Sequence, residues 1–393
     1  MHSVPTNSVK LCVKHCLTPW LKNNLITFEM EFIDLKTQYE SYKDEIDRRM
    51  REVVDHGQFI MGPEVDELES VLADYVGVKH CITVASGTDS LEIALRALNI
   101  GPGDEVITVP FSWISTAEVI VAVGAKPVFI DIEPDTFNMD ANQLEDAITE
   151  NTKAIMPVSL FGQMPDLERI NSLAEEHDIA VIEDAAQSFG STRNGKRSCG
   201  ASLIGSTSFF PAKPLGCFGD GGALFTDDDE LAEIMKAIRS HGGVKRHHHT
   251  HIGMNGRFDT LQAAVILGKW AGFEDEVKSR NQIGARYTEL LSDHVFTPVV
   301  DKGNTHVYAQ YTIRVDENNR DKIISSLKEQ EVPVGIYYPK CFHEQPVFEY
   351  LGYEYGDFPE SEKASREVLS LPMHPFLKKE EQDIIVENLI DTL

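Results

Sequence analysis

Residues 81–110 read CITVASGTDSLEIALRALNIGPGDEVITVP, and their rhythm decides the architecture. CITVA has the apolar, β-branched make-up of a buried strand, SLEIALRAL repeats its apolar residues at helical spacing, and EVITVP returns to a strand. A strand, a helix and a second strand in so short a span are the crossover unit of a parallel sheet. Upstream, EVDELESVLADYV (64–76) sets Val65, Leu68, Leu72, Tyr75 and Val76 on one helical face behind Pro63. Downstream, the helix STAEVIVAV (115–123) precedes the strand PVFIDI (127–132), and a helix near 142–148 precedes the strand KAIMPVSL (153–160). A helix over 166–176 and the strand IAVIED (179–184) complete the series. The alternation predicts an α/β domain whose mainly parallel sheet is covered by helices on both faces.

After about residue 275 the rhythm changes. A long helix near 277–292 leads to strand-like VYAQYTIRV (307–315), a charged helix over 319–330, the strand VPVGIYY (332–338) and two terminal helices. This predicts a smaller C-terminal α+β domain at 276–393, after a large domain at 30–275 whose N-terminal segment is free to pack on it. Residues 1–29 are weakly patterned, whereas Met30 opens a segment, MEFIDLKTQYESYKDEID, that reads as a natural start. They are expected to be an extension outside the fold.

Composition narrows the function. The 393 residues are 42% hydrophobic, and 36 Lys+Arg against 63 Asp+Glu give a net charge of −27. That balance argues against nucleic acid or an anionic membrane as partner, since both need basic surface. No apolar run approaches the roughly 20 residues of a membrane span. The six cysteines (Cys12, Cys16, Cys81, Cys199, Cys217, Cys341) have no disulfide-framework spacing and suit a reducing cytoplasm. Cys12 and Cys16 flank His15 without further ligands at matching spacing, so no metal site is expected.

In open α/β sheets ligands bind beyond the carboxyl ends of the strands. After CITVA, SGTDS (86–90) offers Gly87 for close approach and Thr88 and Ser90 as hydroxyls at a helix start, either an anion site or a helix cap. After EVITVP stands Trp113, a flat aromatic for a ligand or for the core. After IAVIE, Asp184 ends an apolar strand, where a carboxylate needs a cation or several donors unless it caps the next helix. The fourth place is TSFFPAKPLGCFGDGG (207–222), where Lys213 sits between Pro211 and Pro214. A surface lysine needs no such rigid setting. An amine held near a buried carboxylate, an anion-binding helix start and an aromatic ring is what pyridoxal 5′-phosphate requires: a Schiff-base lysine, a phosphate anchor, and a carboxylate keeping the pyridine nitrogen protonated.

VIEDAAQSFG (181–190), followed by the lysine of SFFPAKPLGCFGDGGA, resembles the DegT/DnrJ/StrS family of nucleotide-sugar aminotransferases, which have fold type I among pyridoxal phosphate enzymes. HGQFIMGPEV, SGTDSLEIAL, VSLFGQMPD, GMNGRFDTLQAA and SLPMHPFL extend the resemblance from Met30 to the C-terminus. It implies that Lys213 is the Schiff-base lysine and the acid/base that moves a proton between substrate carbon and cofactor C4′. Asp184 would pair with the pyridinium, Gln187 contact the phenolic oxygen, Trp113 stack on the ring, and Gly87, Thr88 and Ser208 hold the phosphate. Asn255, in GMNGR, would reach the phosphate from a neighbouring subunit, so a homodimer is implied. Arg257 is the candidate for a carboxylate of the amino donor. Some relatives carry histidine in place of the lysine and act as dehydratases; lysine stands here, favouring transamination.

The acceptor is read from VKRHHHTHIGMN (244–255), where His247, His248, His249 and His251 follow Lys245 and Arg246. Such a tract reads as a solvated loop, a metal site, or a locally basic loop receiving a polyanion. With NGKRSCG, VYAQYTIRV and YYPKCFHEQPVF it is similar to the branch that aminates C3 of UDP-2-acetamido-2-deoxy-ribo-hex-3-uluronate with L-glutamate, whose products enter lipopolysaccharide O-antigen sugars. A 4-keto-hexose aminotransferase is the rival in the same family. A cofactor-binding regulator without turnover is the rival of another class. Arg246, His248, His249 and Tyr338 are the candidate sugar contacts, with Tyr337 and His343 beside them.

Overall fold

Seven strands form the central sheet: β1 (His80–Val84), β2 (Glu105–Thr108), β3 (Lys126–Phe129), β4 (Thr152–Ile155), β5 (Ala180–Asp184), β6 (Ile204–Ser208) and β7 (Gly222–Thr226), in the order β1-β7-β6-β5-β4-β2-β3. Only β7 runs against its neighbours. The carboxyl ends of β1 to β6 therefore lie along one edge. The computed structural model describes residues 30–393 except Arg246, so the expected extension over 1–29, with Cys12, His15 and Cys16, lies outside the described residues.

Helices cover both faces, in chain order α1 (Leu35–His56), α2 (Pro63–Val76), α3 (Gly87–Ala97), α4 (Ser115–Ala122), α5 (Leu167–Glu176), α6 (Asp229–Arg239) and α7 (Thr260–Leu291). Residues 63–76 form the helix that their period demands, with Pro63 in its first turn and Val65, Leu68, Leu72 and Val76 buried. One apolar layer joins α2 and α7 to β7 through Leu68, Leu72, Phe225 and Ile266. A second joins α3, α4 and α6 to the other face through Leu95, Ile120, Ile182 and Met235.

In the C-terminal part, β8 (Tyr311–Arg314) pairs antiparallel with β9 (Val368–Leu371). Helices α8 (Arg320–Glu329), α9 (Pro359–Glu367) and α10 (Lys379–Ile390) accompany this pair. Tyr287, Tyr311, Leu327, Leu371 and Ile385 form its core, and Met30 packs against it.

Two expectations are corrected. The long helix begins at Thr260, so its 32 residues, about 48 Å at 1.5 Å each, run through position 275. Residues 332–338 are not a strand: Gly335 makes a single bridge to Ser370, after which the chain turns inward. Their β-type side chains, Val332 and the two tyrosines, serve packing against two different cores.

Candidate active site

The residues after β1, β2, β5 and β6 meet at one cavity of about 410 Å³, within the roughly 300–1,000 Å³ usual for small-molecule sites. Gly87, Thr88, Trp113, Asp184, Gln187, Ser208, Lys213 and Tyr338 all line it.

At its floor Asp184 is 5% exposed. One carboxylate oxygen accepts the Thr116 hydroxyl at 2.7 Å and the other the Ala186 N–H at 3.2 Å. Burial pushes its pKa up, against the pull of these donors and of Lys213. The carboxylate is thus underpaired by the protein and ready for a cation. Lys213 lies on the loop between β6 and β7, its N–H donating to the Phe210 carbonyl at 2.8 Å. Desolvation of the amine draws its pKa down to about 8, with Asp184 opposing.

The ends of β1 and β6 are held together by close approach. A Cβ on Gly87 would stand 2.7 Å from the Ser208 Cβ, so only glycine lets the two strand ends converge. Ser86 caps α3 by accepting the Asp89 N–H at 3.0 Å, while the Thr88 hydroxyl bonds Ser115 at 2.8 Å. This helix start can receive an anion through its free N–H groups. Gln187 is fixed at both ends, its oxygen accepting the Phe161 N–H at 2.9 Å and its amide nitrogen donating to the Tyr338 hydroxyl at 3.0 Å. Trp113 is 59% exposed and stands as one wall. A buried carboxylate, a neutralisable amine, an anion cradle and a flat ring fit pyridoxal phosphate.

Of the other candidates, Asn255, Arg257, His248 and His249 lie off the cavity in this chain. Arg257 donates to the Asn255 side-chain oxygen at 2.9 Å, and neither lines the cavity. His248 and His249 are exposed on a short hairpin paired with Gly243–Lys245, also off the cavity. Arg246 lies outside the described residues. Tyr337 lines the cavity, but His343 does not: it is buried against Glu362 at 3.1 Å, a packing role. Sequence reading missed Thr116, Ile33 and Gln310. Thr116 sits inside an ordinary amphipathic helix, and Ile33 and Gln310 reach the cavity from the N-terminal segment and the edge of β8.

The sequence matches the DegT/DnrJ/EryC1/StrS aminotransferase family over residues 40–390. The chain belongs to that family. It is 51% identical over 349 residues, 88% of this chain and 96% of the other, to the UDP-2-acetamido-2-deoxy-3-oxo-D-glucuronate aminotransferase of Pseudomonas aeruginosa. It is also 47% identical over 363 residues, 91% of this chain and 97% of the other, to a pleiotropic regulatory protein of Geobacillus stearothermophilus. Among solved structures, NtdA of Bacillus subtilis with bound cofactor PMP superposes with a TM-score of 0.86 at 32% identity, covering 93% of this chain and 85% of that one. As a member of the DegT/DnrJ/EryC1/StrS family the protein is a transaminase that works with pyridoxal 5′-phosphate, on the type I fold. No helix among the described residues is long and apolar enough to cross a membrane.

Proposed function

We propose that the enzyme transfers an amino group from L-glutamate to C3 of UDP-2-acetamido-2-deoxy-ribo-hex-3-uluronate, giving a 3-amino uronate for O-antigen synthesis in the cytoplasm. The 51% identity to the Pseudomonas aeruginosa aminotransferase carries the substrate. The Lys213 and Asp184 pair at the cavity floor carries the chemistry.

The cofactor supplies an aldehyde for covalent capture of amines and a ring that accepts electrons. Asp184 keeps a proton on the ring nitrogen. Lys213 would hold the cofactor through its amine and would serve as the acid and base that takes a proton from, or returns it to, the substrate carbon. An amine with a pKa of about 8 is roughly one-tenth free at pH 7, close to the balance that acid–base transfer favours. Gln187 steadies the ring's phenolic oxygen, Trp113 its face, and Gly87, Thr88 and Ser208 its phosphate.

Charge supports a shared site. Lys213 is the only cationic side chain lining the cavity among the described residues, against Asp184 and Asp220. The cofactor phosphate, the donor carboxylates and a UDP-uronate bring several negative charges. A homodimer answers this by bringing Asn255, Arg257 and the basic loop around Arg246, His248 and His249 from the second copy, onto a rim where Trp113 and Phe210 are 59% and 51% exposed.

The test is an absorbance titration of the cofactor-loaded protein. Glutamate should abolish its long-wavelength band, and the UDP 3-keto uronate should restore it. Restoration only by a 4-keto sugar would replace the acceptor. No spectral response to any amino donor would overturn the assignment of donor and acceptor.

A further inference from the structure

A second lysine is buried behind the first. Lys269, on α7, is 2% exposed. Its ammonium donates to the Gly216 carbonyl at 2.7 Å and to the Gln38 side-chain oxygen at 2.9 Å, and stands 4.7 Å from the centre of the Phe218 ring. Gln38, on α1, in turn donates to the Glu276 carboxylate at 2.9 Å. A lysine this buried is costly unless its charge meets partners. Its direct partner on the catalytic side is the loop that carries Lys213, three residues before Gly216.

That loop is folded tightly back on itself. A Cβ on Gly216 would come within 2.4 Å of the Pro211 carbonyl oxygen, and Cys217 donates its N–H to the Phe209 carbonyl at 2.8 Å. From α7, Gln262 accepts the Phe218 N–H at 2.8 Å. The helix thus grips the loop at two points, Gly216 and Phe218, with Lys269 the charged grip. We infer that Lys269 is a positioning residue, holding the Gly216 turn against α7 so that the Lys213 amine stays sunk beside Asp184. This inference rests on Lys213 being the reactive lysine.

The groups facing the two amines are few. Asp184, Asp220, Tyr337 and Tyr338 share the Lys213 cavity, and Glu276 and Cys217 face Lys269. Lys269 bonds the Gly216 carbonyl and does not line the Lys213 cavity, so its effect on that amine runs through the geometry of the loop. A loosened loop would let water reach the Lys213 amine and raise its pKa from about 8 toward the ordinary 10.5.

The experiment is competitive acetic anhydride labelling of the cofactor-free protein across a pH series, reading the Lys213 peptide by mass spectrometry. Lys269→Met should raise the labelling midpoint by about half a unit or more, roughly threefold less free amine at neutral pH. In the loaded enzyme it should lower kcat about tenfold with KM for the sugar within about twofold. Lys269→Arg, which keeps the donors and the charge, should return the midpoint most of the way. A Lys269→Met protein with lowered Tm but an unmoved midpoint would overturn the inference and leave a purely structural lysine. Borohydride reduction of the loaded wild type separates the premise: if the cofactor is trapped on any lysine other than Lys213, the reading of the site fails first.

Discussion

At the scale of single residues, the role proposed for Asp184 leans on a 2.7 Å hydrogen bond that it accepts from Thr116. Thr116→Val keeps the shape and removes the donor, leaving a buried carboxylate oxygen unmet. A bond to a charged group contributes roughly 1.5–3 kcal/mol, so kcat should fall about tenfold or more, accompanied by a changed absorbance spectrum of the loaded protein; an unchanged kcat would count against the role given to Asp184. Lys213→Ala should remove the borohydride-trapped peptide altogether. Lys213 and Asp184 were legible in the sequence because each violates its local surroundings, an amine between prolines and a carboxylate ending an apolar strand. Thr116 was not, since threonine in a helix is unremarked until Asp184 folds over it. Lys269 was hidden for the same reason: its partners lie 53 and 231 positions away.

Elements follow the same division between local and distant causes. Helix α2 was readable to within a residue because its apolar period and Pro63 are local signals. Strands β2, β3 and β4 were readable in place but too long, for the residues past each hydrogen-bonded end, such as Val109 and Ile132, are apolar through burial alone, while β6 was not read as a strand at all. Asp131 illustrates a tie between elements that no local pattern announces. Its carboxylate, just past β3, accepts the Glu360 and Ser361 N–H groups at 2.8 and 2.9 Å and so caps α9 from across the fold. Asp131→Ala leaves those helix-end donors without a partner and should cost about 2 kcal/mol, measured as a lower urea midpoint with an unchanged slope. An undisturbed midpoint would mean that water replaces the cap. At the other edge, Gly87→Ala must push Ser208 aside, and equilibrium dialysis should show weaker retention of the cofactor.

For the whole molecule, acid sets the limit of stability. Burial lowers the pKa of His306 to about 3 and of His374 to about 4, from an ordinary 6.5. Below pH 6.5 an unfolded chain protonates both rings while the folded chain does not, so this contribution to stability is complete above pH 6.5 and is lost as pH falls toward 4 and 3. His306 accepts the Tyr308 N–H at 2.9 Å. His306→Asn, which retains an acceptor, should be less stable at neutral pH yet flatten the acid limb of a urea-unfolding series; an equally steep limb would place the sensitivity elsewhere. Assembly has its own check. If the sites are shared, inactive Lys213→Ala and Asn255→Ala chains should recover activity when refolded together, and failure to do so would argue for sites complete within one chain.

The long helix α7 has a practical consequence for anyone who would divide this protein. Phe273 and Val277 face the sheet-side core, whereas Ile283, Tyr287 and Leu291 face the C-terminal core, all on one continuous rod. A cut at residue 275 would hand each fragment a broken rod with a bare apolar stripe, and such halves should aggregate rather than reassemble. A split reporter is better opened at the exposed turn around Gly356, where an added side chain would meet nothing within 4 Å.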